Sequence, residues 1–276
     1  MTEAAQTEVV RLTVENGVAW IRLNRPDRRN AINPEMRSAL ADVVRQAGRA
    51  AEARVVVVTG EGAAFCAGAD VQDFTDRDRD VTRLRGEYES LLTGLRSMTK
   101  PTIAAIRGPA AGIGASIAFA CDLRYAGTDA FFREAFVDLG LTVDGGATWL
   151  LPRLAGAGRA LELFYTGRRL PADEAERWGV VNHVTEPDEL EGTVREVAEQ
   201  LAQGPAGALA AMKRSVNYAA GSSFEEAIDF ELLLQGVQMQ GDDFKEGVAA
   251  FREKRRPRFA GAGGVGVAGD SAQKGG

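Results

Sequence analysis

The sequence predicts an α/β fold followed by a helical C-terminal region. Three observations carry that prediction. Apolar, β-branched runs such as "RVVVVTG" (54–60) and "TIAAI" (102–106) alternate with segments of helical apolar spacing, the pattern of strands alternating with helices. Asn16-Gly17, set between two short apolar runs, signals a two-residue hairpin turn. From about residue 157 onward the signals turn helical, with "VVNHV" (180–184) as one short strand.

The elements follow in order. Residues 8–23, "EVVRLTVENGVAWIRL", supply the two hairpin strands. "NPEMRSALADVVRQAGRA" (33–50) places apolar side chains at 36, 40, 43, 44 and 47, one face of a helix. It leads to the run at 54–60, whose unbroken apolar character fits a buried strand. A second cycle comprises a charge-rich loop through 72–82, a helix with Leu91, Leu92, Leu95 and Met98 on one face, a stop at Lys100-Pro101, and the strand at 102–106. A third begins with a Gly-rich helix start near 112 and ends in "DLRYAG" (122–127). Ser223 and Glu226 have the spacing of a capping box. "AQGPAG" (202–207) marks a boundary, so the chain divides into a core (1–204), a helical region (205–259) and a Gly-rich tail of disordered composition (260–276).

Composition narrows the function. With 276 residues, 45% hydrophobic, the chain can bury one large core plus a smaller appendage. The formal charge of −6 and the absence of a Lys-rich helix disfavour nucleic acid as a partner. No stretch approaches the roughly 20 apolar residues of a membrane span, and the N-terminus lacks the features of a secretory signal, so a cytoplasmic protein is expected. Cys66 and Cys121 read as free buried thiols of a reducing compartment. The lone histidine, His183, has no partners at metal-ligand spacing and reads as a partly buried structural residue.

Two glycine-containing loops join buried strands to helices: "GEGAAFCAGAD" (60–70) and "RGPAAGIGASIAFACD" (107–122). Small residues at such turns serve tight packing, and they also leave backbone N–H groups open to a ligand. Together the loops can form a two-donor oxyanion hole. The Gly112 to Gly114 spacing lacks the Lys-Ser/Thr of a phosphate loop. In "LGLTVDGGATW" (139–149), Asp144 stands where an N-cap residue would, a role worth about 1 kcal/mol, and equally where a working carboxylate could reach a site. Both roles remain open from the residues alone.

"FCAGAD", "KPTIAAIRGPAAGIGASIAFACDLRYAG", "LGLTVDGGATWLLPRLAG" and "LELFYTGRRLPADEAERWGVVNHV" resemble, in order and spacing, the enoyl-CoA hydratase/isomerase (crotonase) family over residues 8–259. The resemblance implies a spiral of repeated ββα units with a C-terminal helical trimerisation region, a homotrimer or dimer of trimers, and acyl-CoA substrates. It implies no metal and no cofactor beyond the CoA thioester, which is the substrate. It places the two oxyanion N–H donors at Ala69 and Ile113, whose side chain must then point away from the thioester.

Hydratases of the family use two glutamates, and the matching positions here hold Ser116 and Phe136, neither of which can act as a general acid/base carboxylate. Glu134, two residues before Phe136, would need a register shift to substitute. Asp144 matches the position where several isomerases carry their carboxylate, and its surroundings most resemble the ring-opening isomerases of phenylacetyl-CoA degradation. The dehalogenase branch also has aspartate there, but with a histidine base and a tryptophan at the position of Phe136, both lacking here. The resemblance therefore implies a double-bond or ring-opening isomerase with Asp144 as acid/base. The alternatives are a hydratase of 2-enoyl-CoA and a non-catalytic acyl-CoA-binding protein. For the CoA end it suggests Arg25, Arg28, Ala67, Asp70 and Lys254, with Arg255 and Arg256 beside the last. Asp70 is expected to cap or brace its loop, Trp149 to pack in the helix after Asp144, and the acyl group to be selected largely by residues 72–86.

Overall fold

A computed structural model describes residues 9–70 and 81–259. The charge-rich loop expected at 72–82 falls largely outside them, as does the tail at 260–276. In chain order the first unit contains β1 (Val10–Glu15), β2 (Val18–Leu23), α1 (Pro34–Arg49), β3 (Val55–Gly60), α2 (Val81–Ser97), β4 (Thr102–Ile106), β5 (Pro109–Ala111), α3 (Ile113–Ala120), β6 (Leu123–Gly127) and β7 (Phe131–Arg133). A 3-10 turn (Ala135–Leu139) leads on to α4 (Ala147–Ala155), α5 (Ala157–Thr166), β8 (Arg169–Pro171), α6 (Ala172–Arg177), β9 (His183–Thr185) and α7 (Leu190–Ala202).

The main sheet has the order β1-β2-β3-β4-β6-β9, with β1 and β2 antiparallel and the remaining pairs parallel. The hairpin forms as its sequence requires: Asn16 and Gly17 both take positive φ, 51° and 78°, the pair of left-handed residues that a twisted two-residue turn demands. β3 is apolar throughout because both its faces are covered. Val56 and Val58 enter the large core with Leu40, Val44, Leu91 and Leu95, whereas Val55 and Val57 face Leu190, Val194 and Ala198 of α7. On α1 the expected stripe is buried, and Asn33 caps the helix by accepting the Met36 N–H at 2.9 Å.

A second, three-stranded sheet, β5-β7-β8, pairs β5 with β7 in parallel. Ala110 of β5 also pairs in parallel, as an isolated bridge, with Cys66 in the loop after β3. Those two short strands matter most, because the candidate site lies at their ends.

The second compact unit begins at Gln203 and holds α8 (Ala206–Ala219), α9 (Phe224–Met239) and α10 (Asp242–Glu253). The Ser223–Glu226 capping box forms as expected, and Tyr218 stacks on Phe230 with centroids 4.2 Å apart. Among the described residues no helix is long and apolar enough to cross a membrane.

Candidate active site

Two loops meet edge to edge. The Cys66 N–H donates to Pro109 O and the Ala111 N–H to Cys66 O, each at 2.9 Å, so "FCAGAD" runs alongside β5 as a short parallel pair. On its other side the Ile32 N–H donates to Gly68 O and the Asp70 N–H to Ile32 O. Glycine is needed at both bends. Gly68 has φ of 98° and a Cβ there would stand 2.9 Å from Ala111 O, and Gly112 has φ of 49° at the start of α3.

This weave uses up many of the loop amides but not those immediately after the two bends. Ala67 donates to Arg29 O and Gly112 to Arg133 O, but among the described residues neither the Ala69 nor the Ile113 N–H has an acceptor. Ile113 stands at the first turn of α3, where N–H groups have no intrahelical partner and the helix dipole favours negative charge. Its side chain is buried in the core, so the residue offers the site its backbone alone.

The loop carrying Ala69 is braced by residues that sequence reasoning placed elsewhere or missed. Arg25 Nη1 donates to Ala31 O at 2.6 Å and to Asp70 Oδ2 at 3.0 Å, so Asp70 braces the loop as expected and Arg25 is its partner. Asn30, fully buried, donates from Nδ2 to Glu61 O and Ala64 O and accepts the Arg25 N–H. Nothing in "RRNAIN" distinguished this asparagine beyond a residue type that tolerates its positive φ of 55°. Arg28 is exposed on the short turn Pro26–Arg28. Lys254 lies in the second unit at the end of α10, and next to it Arg255 forks onto Glu246, whose carboxyl it holds at about 2.

Asp144 does not cap α4. The N-cap is Gly146, with no side-chain hydrogen bond, so of the two roles the residues left open capping is not the one the structure gives this carboxylate. Its segment instead lies on the start of α3: a Cβ on Gly145 would meet Ser116 Oγ at 2.7 Å and Ile113 Cδ1 at 2.9 Å. Asp144 opens into a pocket of about 560 Å³ lined by Tyr88, Leu92, Gly145, Trp149 and Leu150, among others. The surrounding protein displaces enough water to push its carboxyl above the ordinary aspartate value.

Trp149 does more than pack: it is 38% exposed, lines this pocket, and is flanked by Arg96 and Arg153 with guanidinium carbons 4.4 and 3.9 Å from the ring centre. Phe136 reaches over the second loop, with its ring edge 3.6 Å from where a Gly112 Cβ would be. Ser116 is fully buried with its Oγ unpartnered. His183 proves exposed rather than partly buried, edge-on to Tyr125 at the sheet margin, because β9 is the outermost strand.

The pocket has two carboxylates, Glu89, exposed and paired with Arg85, and the more buried Asp144, whose segment lies against Ile113; a carboxylate near an open amide suits proton transfer next to a carbonyl. The enoyl-CoA hydratase/isomerase family model matches residues 13–262. The chain belongs to that family. It is therefore an enzyme of a family that acts on acyl-CoA substrates, and its fold is the crotonase fold. The 1,2-epoxyphenylacetyl-CoA isomerase of Escherichia coli K12 is 38% identical over 90% of this chain and 97% of its own length. The short-chain-enoyl-CoA hydratase of Clostridium acetobutylicum is 34% identical over 89% and 95%. The crystal structure of an enoyl-CoA hydratase from Bacillus anthracis superimposes with a TM-score of 0.86 at 31% identity, covering 91% of this chain and 98% of that one.

Proposed function

We propose that the protein is an acyl-CoA isomerase that shifts a double bond, or opens a ring, through an enolate. The observation that carries this reading is the distribution of acids. Asp144 opens into the pocket, whereas Ser116 and Phe136 occupy the positions where hydratases of the family hold their glutamates. One base that removes a proton and returns it at another carbon completes an isomerisation with nothing added. Hydration by the usual route needs two such groups.

For a 3-enoyl thioester, the Asp144 carboxylate takes a proton from carbon 2. The electron pair runs to the thioester oxygen, where the Ala69 and Ile113 N–H groups hold the negative charge. The protonated Asp144 then returns the proton at carbon 4, and the 2-enoyl thioester leaves. Each of the two donors is worth about 3–4 kcal/mol at the transition state. The Gly145 contact to Ile113 and Ser116 favours this arrangement, because it holds the base and one donor on a common footing. The similarity to the Escherichia coli isomerase favours a ring-derived acyl group.

Phosphates of CoA are assigned to the side of the site that carries the exposed Arg28, with Ala67 and the Arg25–Asp70 pair shaping the loop. The exposed apolar side chains Met212, Val216, Leu232, Leu233 and Phe251 support assembly as a homotrimer or dimer of trimers, and the buried free thiols support a cytoplasmic setting.

The test is incubation with 3-enoyl-CoA and 2-enoyl-CoA in water enriched in heavy oxygen. An isomerase yields a conjugated product of unchanged mass. Incorporation of solvent oxygen identifies a hydratase, with Asp144 alone activating water. No change in any acyl-CoA, ring-derived ones included, leaves an acyl-CoA-binding protein.

A further inference from the structure

Glu134 is an anomaly. It follows β7, whose last residue accepts the Gly112 N–H, so the chain delivers it directly beneath the turn that presents Ile113. The residue is 2% exposed, and neither carboxyl oxygen has a hydrogen-bond partner. A carboxylate in such a place has neither water nor donors to stabilise its charge. Its charged surroundings do not help. Arg133 turns away to Gly167 O and Asp138, Arg169 stacks on Phe131, and on α5 Arg159 lies over Trp178 while Glu162 is held by Arg168. The start of α3 carries the unpartnered Ser116 hydroxyl, the 3-10 turn carries Asp138, which Arg133 holds, and the charge that bears on Glu134 is the like charge of Asp144.

Resting on the isomerase reading, we propose that Glu134 is a positioning residue kept as a neutral acid under the oxyanion turn, which leaves the negative charge of the pair on Asp144 and makes Glu134 ionisation the alkaline limit of activity. Two neighbouring carboxyls in unequal surroundings separate their ionisations, and the group that keeps its proton is the one with less water. Asp144, open to the pocket, ionises first and is ready to accept a proton. Desolvation, followed by the charge of Asp144, pushes the Glu134 carboxyl well above the ordinary range. When Glu134 does ionise, a second negative charge arrives beside the turn that must hold the enolate, and transition-state stabilisation falls.

The experiment compares kcat/KM against pH for wild type and Glu134→Gln, a near-isostere that cannot ionise. The infrared carbonyl band of a protonated carboxylic acid is recorded for both and for Asp144→Asn. The expected result is a bell for wild type and loss of the alkaline limb alone in Glu134→Gln. The band is expected at neutral pH in wild type and Asp144→Asn and not in Glu134→Gln. An alkaline limb that persists in Glu134→Gln, or loss of activity at every pH in a folded variant, overturns the proposal. If wild type isomerises nothing, the functional reading has failed, and the infrared band alone decides whether Glu134 is a neutral acid: its presence in wild type and Asp144→Asn supports that assignment and its absence overturns it.

Discussion

Replacing Gly145 by alanine should damage the site without touching a catalytic side chain. Gly145 has φ of 61°, and a Cβ there meets Ser116 Oγ at 2.7 Å, Ile113 Cδ1 at 2.9 Å and Ser116 Cβ at 3.0 Å. The left-handed conformation costs a residue with a Cβ about 1–2 kcal/mol. Overpacking adds about 1–3 kcal/mol, so the sum is about 2–5 kcal/mol. Relief requires the Asp144 segment to lift off α3 by about half an ångström or more, and a 1 Å misplacement costs about 100-fold in rate. Gly146 supplies the control. Its φ of 74° imposes the same strain, but its Cβ would find only Leu150 Cδ1 at 3.9 Å, an ordinary contact. Thermal unfolding and 3-enoyl-CoA turnover are measured for both alanine variants. Gly145→Ala should be less stable than Gly146→Ala by the packing part, about 1–3 kcal/mol, and slower by one to two orders of magnitude. Equal losses in the two variants would refute the idea that close apposition to Ile113 and Ser116 positions the base.

Ser116→Ala removes a buried hydroxyl that has no partner, so unfolding should move up by about 1 kcal/mol while turnover stays near wild type; a large loss of turnover would assign Ser116 to the chemistry. Asp70→Ala leaves the Arg25 guanidinium without its 3.0 Å partner, and loosening the loop that carries Ala69 should lower kcat more than it raises KM, as steady-state kinetics would show. Asp144 and Glu134 both have folded-state carboxyls raised by burial, so the native chain holds more protons than the unfolded one. Their contribution to stability is full below about pH 4 and is lost as pH rises through their folded values, which denaturant titrations at a series of pH values would detect. Trp149→Ala opens one wall of the pocket and should shift preference toward bulkier acyl groups in a competition assay.

The hairpin at Asn16-Gly17, the stripe of α1, the doubly covered β3 and the capping box at Ser223 were legible because each rests on local periodicity or a turn with fixed backbone demands. The site was legible in part. Small residues in two loops pointed to open amides, but their meeting depends on the Cys66–Ala110 bridge between residues far apart in sequence. Asp144 looked like a helix cap from residue type alone; the helix begins two residues later than that reading needs. Glu134 was passed over because period-two reasoning asks which face a residue shares. It cannot reveal that the chain delivers a carboxyl into a place with no donor. Asn30 and the Arg25–Asp70 pair were similarly hidden, because long-range hydrogen bonds leave no periodic trace.

The central claim is that Asp144 moves the proton. The most direct test measures turnover of 3-enoyl-CoA by wild type and Asp144→Asn, following thioester conjugation by ultraviolet absorbance, with CoA-ester affinity measured by calorimetry on the same preparations. The account predicts that the variant binds the thioester as wild type does and loses nearly all turnover at unchanged product mass. Substantial isomerase turnover retained by Asp144→Asn would contradict it.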